Sequence, residues 1–177
     1  MTKPAAAPTL SIIERRRIEA ELIKEFYATL VERFGKDEAQ AVVAASIRRS
    51  AIAQAAQFAA AAGPDGTSLQ SFIDIQSHWT AENALEIEVA ERGESTYAFN
   101  VVRCRYAEMY KDMGLGEIGH LLSCNRDGAF CDGYDAKLKL TRTQTIMQGA
   151  SHCDFHYEYQ GDDAAGSGSA AGTPSAG

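Results

Sequence analysis

The sequence predicts an α+β fold in which an amino-terminal helical hairpin packs with a small antiparallel sheet and two or three further helices. Three observations carry this reading. Apolar residues recur at helical spacing on both sides of Gly35, between residues 11 and 62; they alternate at period two over 85–89 and 97–101; and the alternation returns over 137–145 and 152–159. Ser11 stands three before Glu14, a capping box that starts the first helix, and Ile18, Leu22, Phe26, Leu30 and Phe34 follow at helical spacing to Gly35. Asp37 caps a second, alanine-rich helix through Val42, Val43, Ile47, Ile52 and Phe58, which Gly63 and Pro64 end. A short helix is predicted from Ser68 to Ser77. Leu85, Ile87 and Val89 then alternate with Glu86 and Glu88, a strand with a solvated glutamate face, and Arg92-Gly93-Glu94 turns the chain into its partner, Tyr97, Phe99 and Val101. Residues 105–112 and 117–127 read as helices separated by Gly114 and Gly116. Two strands close the domain, Lys137–Thr145 and His152–Tyr159; in the second, Cys153, Phe155, Tyr157 and Tyr159 share one face and His152, Asp154, His156 and Glu158 the other.

Length and composition bound the function. Of 177 residues, 1–10 read as an arm, 11–160 as one domain with its reactive segments in 80–160, and the Gly/Ala/Ser-rich 161–177 as a flexible tail. Lys and Arg number 17 against 24 Asp and Glu, a net charge of −7, which supplies no basic field for nucleic acid. No apolar run reaches the ~18 to 20 residues of a membrane span, and the start lacks signal-peptide character. A cytoplasmic protein is therefore expected, with the alanine-rich second helix as a surface for a homo-oligomer. Cys104, Cys124, Cys131 and Cys153 form no C-x-x-C pair and are expected as free thiols.

Reactive side chains concentrate in four segments: Arg103-Cys104-Arg105-Tyr106-Ala107-Glu108, Cys124-Asn125-Arg126-Asp127, Arg142-Thr143-Gln144-Thr145 and Cys153-Asp154-Phe155-His156. Cys131, after Ala129 and Phe130, reads as a core filler. Cys104, between two arginines, reads as a thiol of lowered pKa. Cys124 and Asp127, three apart, project from one helix face. Asp127 and Asp154 serve either as general bases or as capping and pairing groups. His152, Asp154 and His156 form either a basic cluster or a solvated surface pair. His78 and His120 read as structural. No cofactor is called for; the alternative is zinc on Cys104, Cys124, Cys153 and Asp127, without the paired spacing that marks such sites.

The segments Arg103–Glu108, Leu121–Asp127, Arg142–Ile146 followed by Gly149, and Cys153-Asp154-Phe155 together resemble the L-2-amino-thiazoline-4-carboxylic acid hydrolase family, over roughly residues 80–160. The chain departs from the family pattern at His156. The resemblance implies opening of a small nitrogen heterocycle, such as a cyclic amidine or thiazoline, by hydrolysis at a ring carbon bonded to nitrogen or sulfur. The catalytic candidates are then Cys104 as nucleophile, Asp127 or Asp154 as base toward water, and Cys153. Arg142 or Arg103 matches a substrate carboxylate, Thr143 and Thr145 orient the ring or water, and Cys124, Asn125 and His156 complete the binding set. The layout is also similar to small-molecule-binding sensor domains of bacterial regulators, and a binding domain without turnover is the competing expectation.

Overall fold

A computed structural model describes residues 10–161; the expected arm and tail lie outside the described residues apart from Leu10 and Gly161. Two long helices, α1 (Ile12–Phe34) and α2 (Lys36–Ala60), form the hairpin. Ser11 accepts from the Glu14 amide while the Glu14 carboxylate accepts from the Ser11 amide, so the capping box is complete. Gly35, at φ 82°, makes the reversal that a residue with a side chain resists. Short helices α3 (Leu69–Asp74) and α4 (Ser77–Thr80) and a 3-10 turn (Ala81–Asn83) replace the single helix read over 68–77.

The hairpin β1 (Leu85–Arg92) and β2 (Thr96–Cys104) follows, then α5 (Arg105–Asp112), α6 (Gly119–Leu122), α7 (Cys124–Tyr134), β3 (Leu138–Thr141) and β4 (Cys153–Tyr159). The four strands form one antiparallel sheet in the order β1-β2-β4-β3, with Phe99 opposite Phe155 and Val101 opposite Cys153. The inward face of β4 is the one the alternation predicts: Cys153 and Tyr157 are buried, and the Phe99 and Phe155 rings stack at 5.0 Å.

Three sequence readings need correction. The helix read to residue 127 breaks at Ser123 and resumes through Tyr134, with Gly128 and Gly133 inside it. Gly133 is required there because a Cβ would lie 2.5 Å from the Ile52 carbonyl oxygen: α2 and α7 touch through backbone. One face of α2, with Ala39, Val43, Ile47, Ala51 and Ala55, is buried inside the domain, while Ala41, Ala45, Ala53 and Ala56 are exposed. Second, the strand read as 137–145 leaves the sheet after Thr141. The Asp154 carboxylate takes the amides of Thr143 and Gln144, and Cys153 Sγ takes the amide of Ile146, in place of ladder partners. Third, the helical series on α1 points outward: Ile18, Leu22, Phe26 and Phe34 are 54, 61, 60 and 62 % exposed. The buried face instead carries Ile12, Ile13, Ala20 and a charged residue, Arg16.

No described helix is long and apolar enough to cross a membrane.

Candidate functional site

The ends of three elements converge. β2 ends at Cys104, β4 begins at Cys153 three register positions away, and α7 begins at Cys124 with Asp127 in its first turn, where the helix dipole favours a carboxylate. Between this junction, α1, α4 and the inner sheet face lies a cavity with two lobes, each about 60 Å³. Cys104, Cys124, Cys153, Tyr106 and Arg142 line one lobe. Aromatic side chains, Phe72, Phe99, Phe130 and Tyr157, line the other. Arg16, Trp79, Leu85, Arg126, Asp127 and Phe155 border both.

Asp127 is the central acid. Arg142, at the end of the β3 segment, donates from Nη1 to Asp127 Oδ2 at 2.5 Å and from Nη2 to the Cys124 carbonyl at 3.0 Å, with its guanidinium 4.9 Å from the Phe155 ring centre. Arg142 retains 14 % of its side-chain surface and Asp127 29 %. Burial raises the pKa of Asp127 above the usual carboxylate range, and Arg142 opposes that rise without cancelling it.

The three thiols that the motifs single out share one lobe, and burial raises all of them: Cys104 to about 11, Cys124 to about 12, and Cys153 upward. All three are protonated at neutral pH. This overturns the lowered pKa expected from the arginines beside Cys104. Arg103 reaches the outer face, donating from Nε to Glu108 at 2.8 Å and from Nη1 to Glu86 at 3.3 Å, and Arg105 donates to the Glu82 carbonyl at 2.6 Å. Strand alternation turns the Arg103 guanidinium away from the thiol, and Arg105 is drawn off by the Glu82 carbonyl from the first position of α5.

Two cavity residues escaped the sequence reading, Arg16 and Arg126. Arg16 Nη1 donates to both Glu19 oxygens at 3.0 and 2.8 Å and Nη2 to Gln54 at 2.7 Å. Arg126 donates from Nε to the Leu122 carbonyl at 2.9 Å and from Nη2 to Glu19 at 3.0 Å, while its buried Nη1 has no partner among the described residues. The signal was present: Arg16 lies four residues from both Ile12 and Ala20, a charge on a buried stripe, and Arg126 stands inside the Cys124–Asp127 motif.

Other sequence candidates lie elsewhere. Asp154 accepts from the Thr143 amide and hydroxyl and the Gln144 amide; burial pushes its pKa up, but these bonds outweigh it and hold the carboxyl below the usual range. Thr143 is therefore tied to Asp154, and Thr145, buried, caps the 3-10 turn Ile146–Gln148 through Gln148, so the two do not share a strand face. Asn125 donates to the Ala44 carbonyl, fastening α7 to α2. His156 pairs with Glu158 on the outer sheet face. None of these, nor Arg103, borders either lobe. Cys131 is buried, as a core filler should be. Among the described residues no group of three or more His, Cys, Asp or Glu is arranged to hold a metal ion; three thiols and Asp127 line one lobe without forming such a group.

A helical hairpin packed through α7 onto a four-stranded antiparallel sheet, with a partly open cavity among them, defines an α+β domain with an internal pocket. The chain belongs to the L-2-amino-thiazoline-4-carboxylic acid hydrolase family, which it matches over residues 15–157. No curated protein matches it. Among solved structures it is similar to the phenol-responsive sensory domain of the transcription activator PoxR with phenol, at 13 % identity over 81 % of this chain and 74 % of that one, TM-score 0.51. It is also similar to a trafficking protein particle complex subunit 3 from Naegleria fowleri covalently bound to palmitic acid, at 8 % identity over 82 % and 97 %, TM-score 0.49. The first likeness shows the fold.

Proposed function

We propose that this chain hydrolyses a small, carboxylated nitrogen heterocycle of the cyclic amidine or thiazoline kind, with Asp127 as general base toward water. The observation that carries this is the position of Asp127: it borders both lobes, is oriented by Arg142, and is more basic than an ordinary carboxylate. A general base works best when its pKa is lifted toward the working pH. In this reading a water beside Asp127 gives its proton to the carboxylate while its oxygen bonds to the ring carbon between the heteroatoms. The ring bond to sulfur or nitrogen then breaks, and the departing atom takes the proton that Asp127 accepted from the water, which restores the carboxylate. The high thiol pKa values favour this route over attack by a Cys104 thiolate. Family membership supports the hydrolase class and the carboxylated ring.

The test is incubation of the full chain with 2-aminothiazoline-4-carboxylate and related cyclic amidines and imides, read by mass spectrometry for a gain of one water. Turnover by the wild-type chain and none by Asp127→Asn supports the reading. A second reading is favoured by the aromatic lobe, which is suited to holding a ring without reacting with it, as the PoxR domain holds phenol. Tight binding without any gain of water establishes that one instead.

A further inference from the structure

Resting on the cavity assignment above, we propose that Arg126, with Arg16, is the docking point for the ligand's carboxylate, and that the free Nη1 of Arg126 is its principal donor. The sequence motifs point to Arg142 or Arg103 for this task. The structure leaves neither available: Arg142 is committed to Asp127 and the Cys124 carbonyl, and Arg103 is on the outer face.

The case for Arg126 rests on charge and on an unmet hydrogen bond. Its side chain keeps 9 % of its surface and that of Arg16 keeps 5 %, so both guanidiniums are withdrawn from water. They share one carboxylate, Glu19, which leaves the trio one positive charge in excess. Adding Asp127 and Arg142, which pair with each other, does not change the balance. Burial and the neighbouring Arg16 lower the pKa of Arg126 to about 10, the mark of a cation short of anionic company. A buried donor without a partner is costly to keep, and natural structures keep few. The residue that carries it, Arg126, borders both lobes of the cavity.

The ligand chemistry follows. A deficit of one charge in a cavity this small fits a monoanion with two oxygens, a carboxylate, better than a phosphate dianion. Because Arg126 and Asp127 are adjacent in sequence and border the same space, a ring carrying that carboxylate sits within reach of Asp127 and the thiol lobe. Ring substituents then face Phe72, Phe130 and Tyr157.

The experiment is calorimetric titration of the full chain with 2-oxothiazolidine-4-carboxylate and with its carboxamide, in the wild type, Arg126→Met and Arg126→Lys, alongside thermal melts and product analysis. The wild type is expected to bind the carboxylate about 10- to 100-fold more tightly than the carboxamide. Arg126→Met is expected to lose that preference while melting no lower than the wild type by more than about 2 °C, because it removes a half-paired buried charge. Arg126→Lys, a point charge without the fork, is expected to recover only part of the preference. Equal affinity of the wild type for the two compounds, binding of neither, or a preference that survives in Arg126→Met overturns the proposal. Carboxylate-selective binding without any product leaves this assignment standing and removes the hydrolase reading; turnover of both compounds at equal efficiency does the reverse.

Discussion

Replacing Arg142 with Met isolates what the central ion pair does. The substitution keeps an apolar stem against Phe155 but removes the donor to Asp127 and the donor to the Cys124 carbonyl. A hydrogen bond made by a charged group contributes about 1.5–3 kcal/mol and Arg142 makes two, so the loss is roughly 3 kcal/mol or more at neutral pH. For a domain near 150 residues this is a fall in Tm of roughly 6–12 °C. The deficit depends on pH in a definite direction. The folded-state pKa of Asp127 is already raised by burial, and losing Arg142 raises it further. An acid whose folded pKa lies above its unfolded value favours the fold most at pH below the unfolded pKa, and that advantage is lost as pH rises through the folded pKa. The deficit of Arg142→Met relative to the wild type is therefore larger at pH 8 than at pH 5. Melts followed by circular dichroism at both pH values measure it. A fall below about 2 °C at pH 8, or an equal fall at both, refutes the assignment of Arg142 as the partner that keeps Asp127 ionised.

Three further outcomes follow from the packing and the thiols. With its pKa near 11, Cys104 alkylates slowly at pH 7 and about tenfold faster per pH unit above it, as mapped by mass spectrometry; rapid reaction at pH 7 contradicts its burial. Gly133→Ala forces a Cβ against the Ile52 carbonyl and costs about 1–3 kcal/mol in denaturant unfolding, whereas the same change at Gly128, which has open space, costs nothing comparable. Leu22→Lys and Phe26→Glu, on the outward stripe of α1, change stability by no more than about 0.5 kcal/mol, while Ile47→Ala, on the buried face of α2, costs about 2–5 kcal/mol; a reversed order would return the stripe to the core.

The elements were legible wherever one periodicity ruled. The β1–β2 hairpin and the two faces of β4 follow from alternation, and the α1 start follows from its capping box. Where the chain obeys a side chain instead of its own ladder, the alternation misleads. Asp154 captures the amides of Thr143 and Gln144, so β3 stops short and the Asp154 carboxylate is tied to that loop, outside the lining of the cavity. The face of α1 was hidden because its core stripe contains Arg16, while the more regular apolar series is exposed. That same residue is half of the buried arginine pair, so the helix face and the arginine pair were hidden for one reason. The three thiols and Asp127, drawn from separate segments without metal-type spacing, do meet in one cavity. Their protonation state was not legible, since neighbours in sequence point to opposite sides of a strand and burial decides a thiol pKa.

The most direct test of the account is Asp127→Asn, which preserves shape and leaves Arg142 an oxygen to bond. Assayed against the best substrate found among carboxylated thiazolines and cyclic amidines, with folding verified by circular dichroism, it is predicted to lose hydrolysis by about 10²- to 10⁴-fold while carboxylate binding persists. Hydrolysis at the wild-type rate by the Asn variant contradicts the role of Asp127 as base.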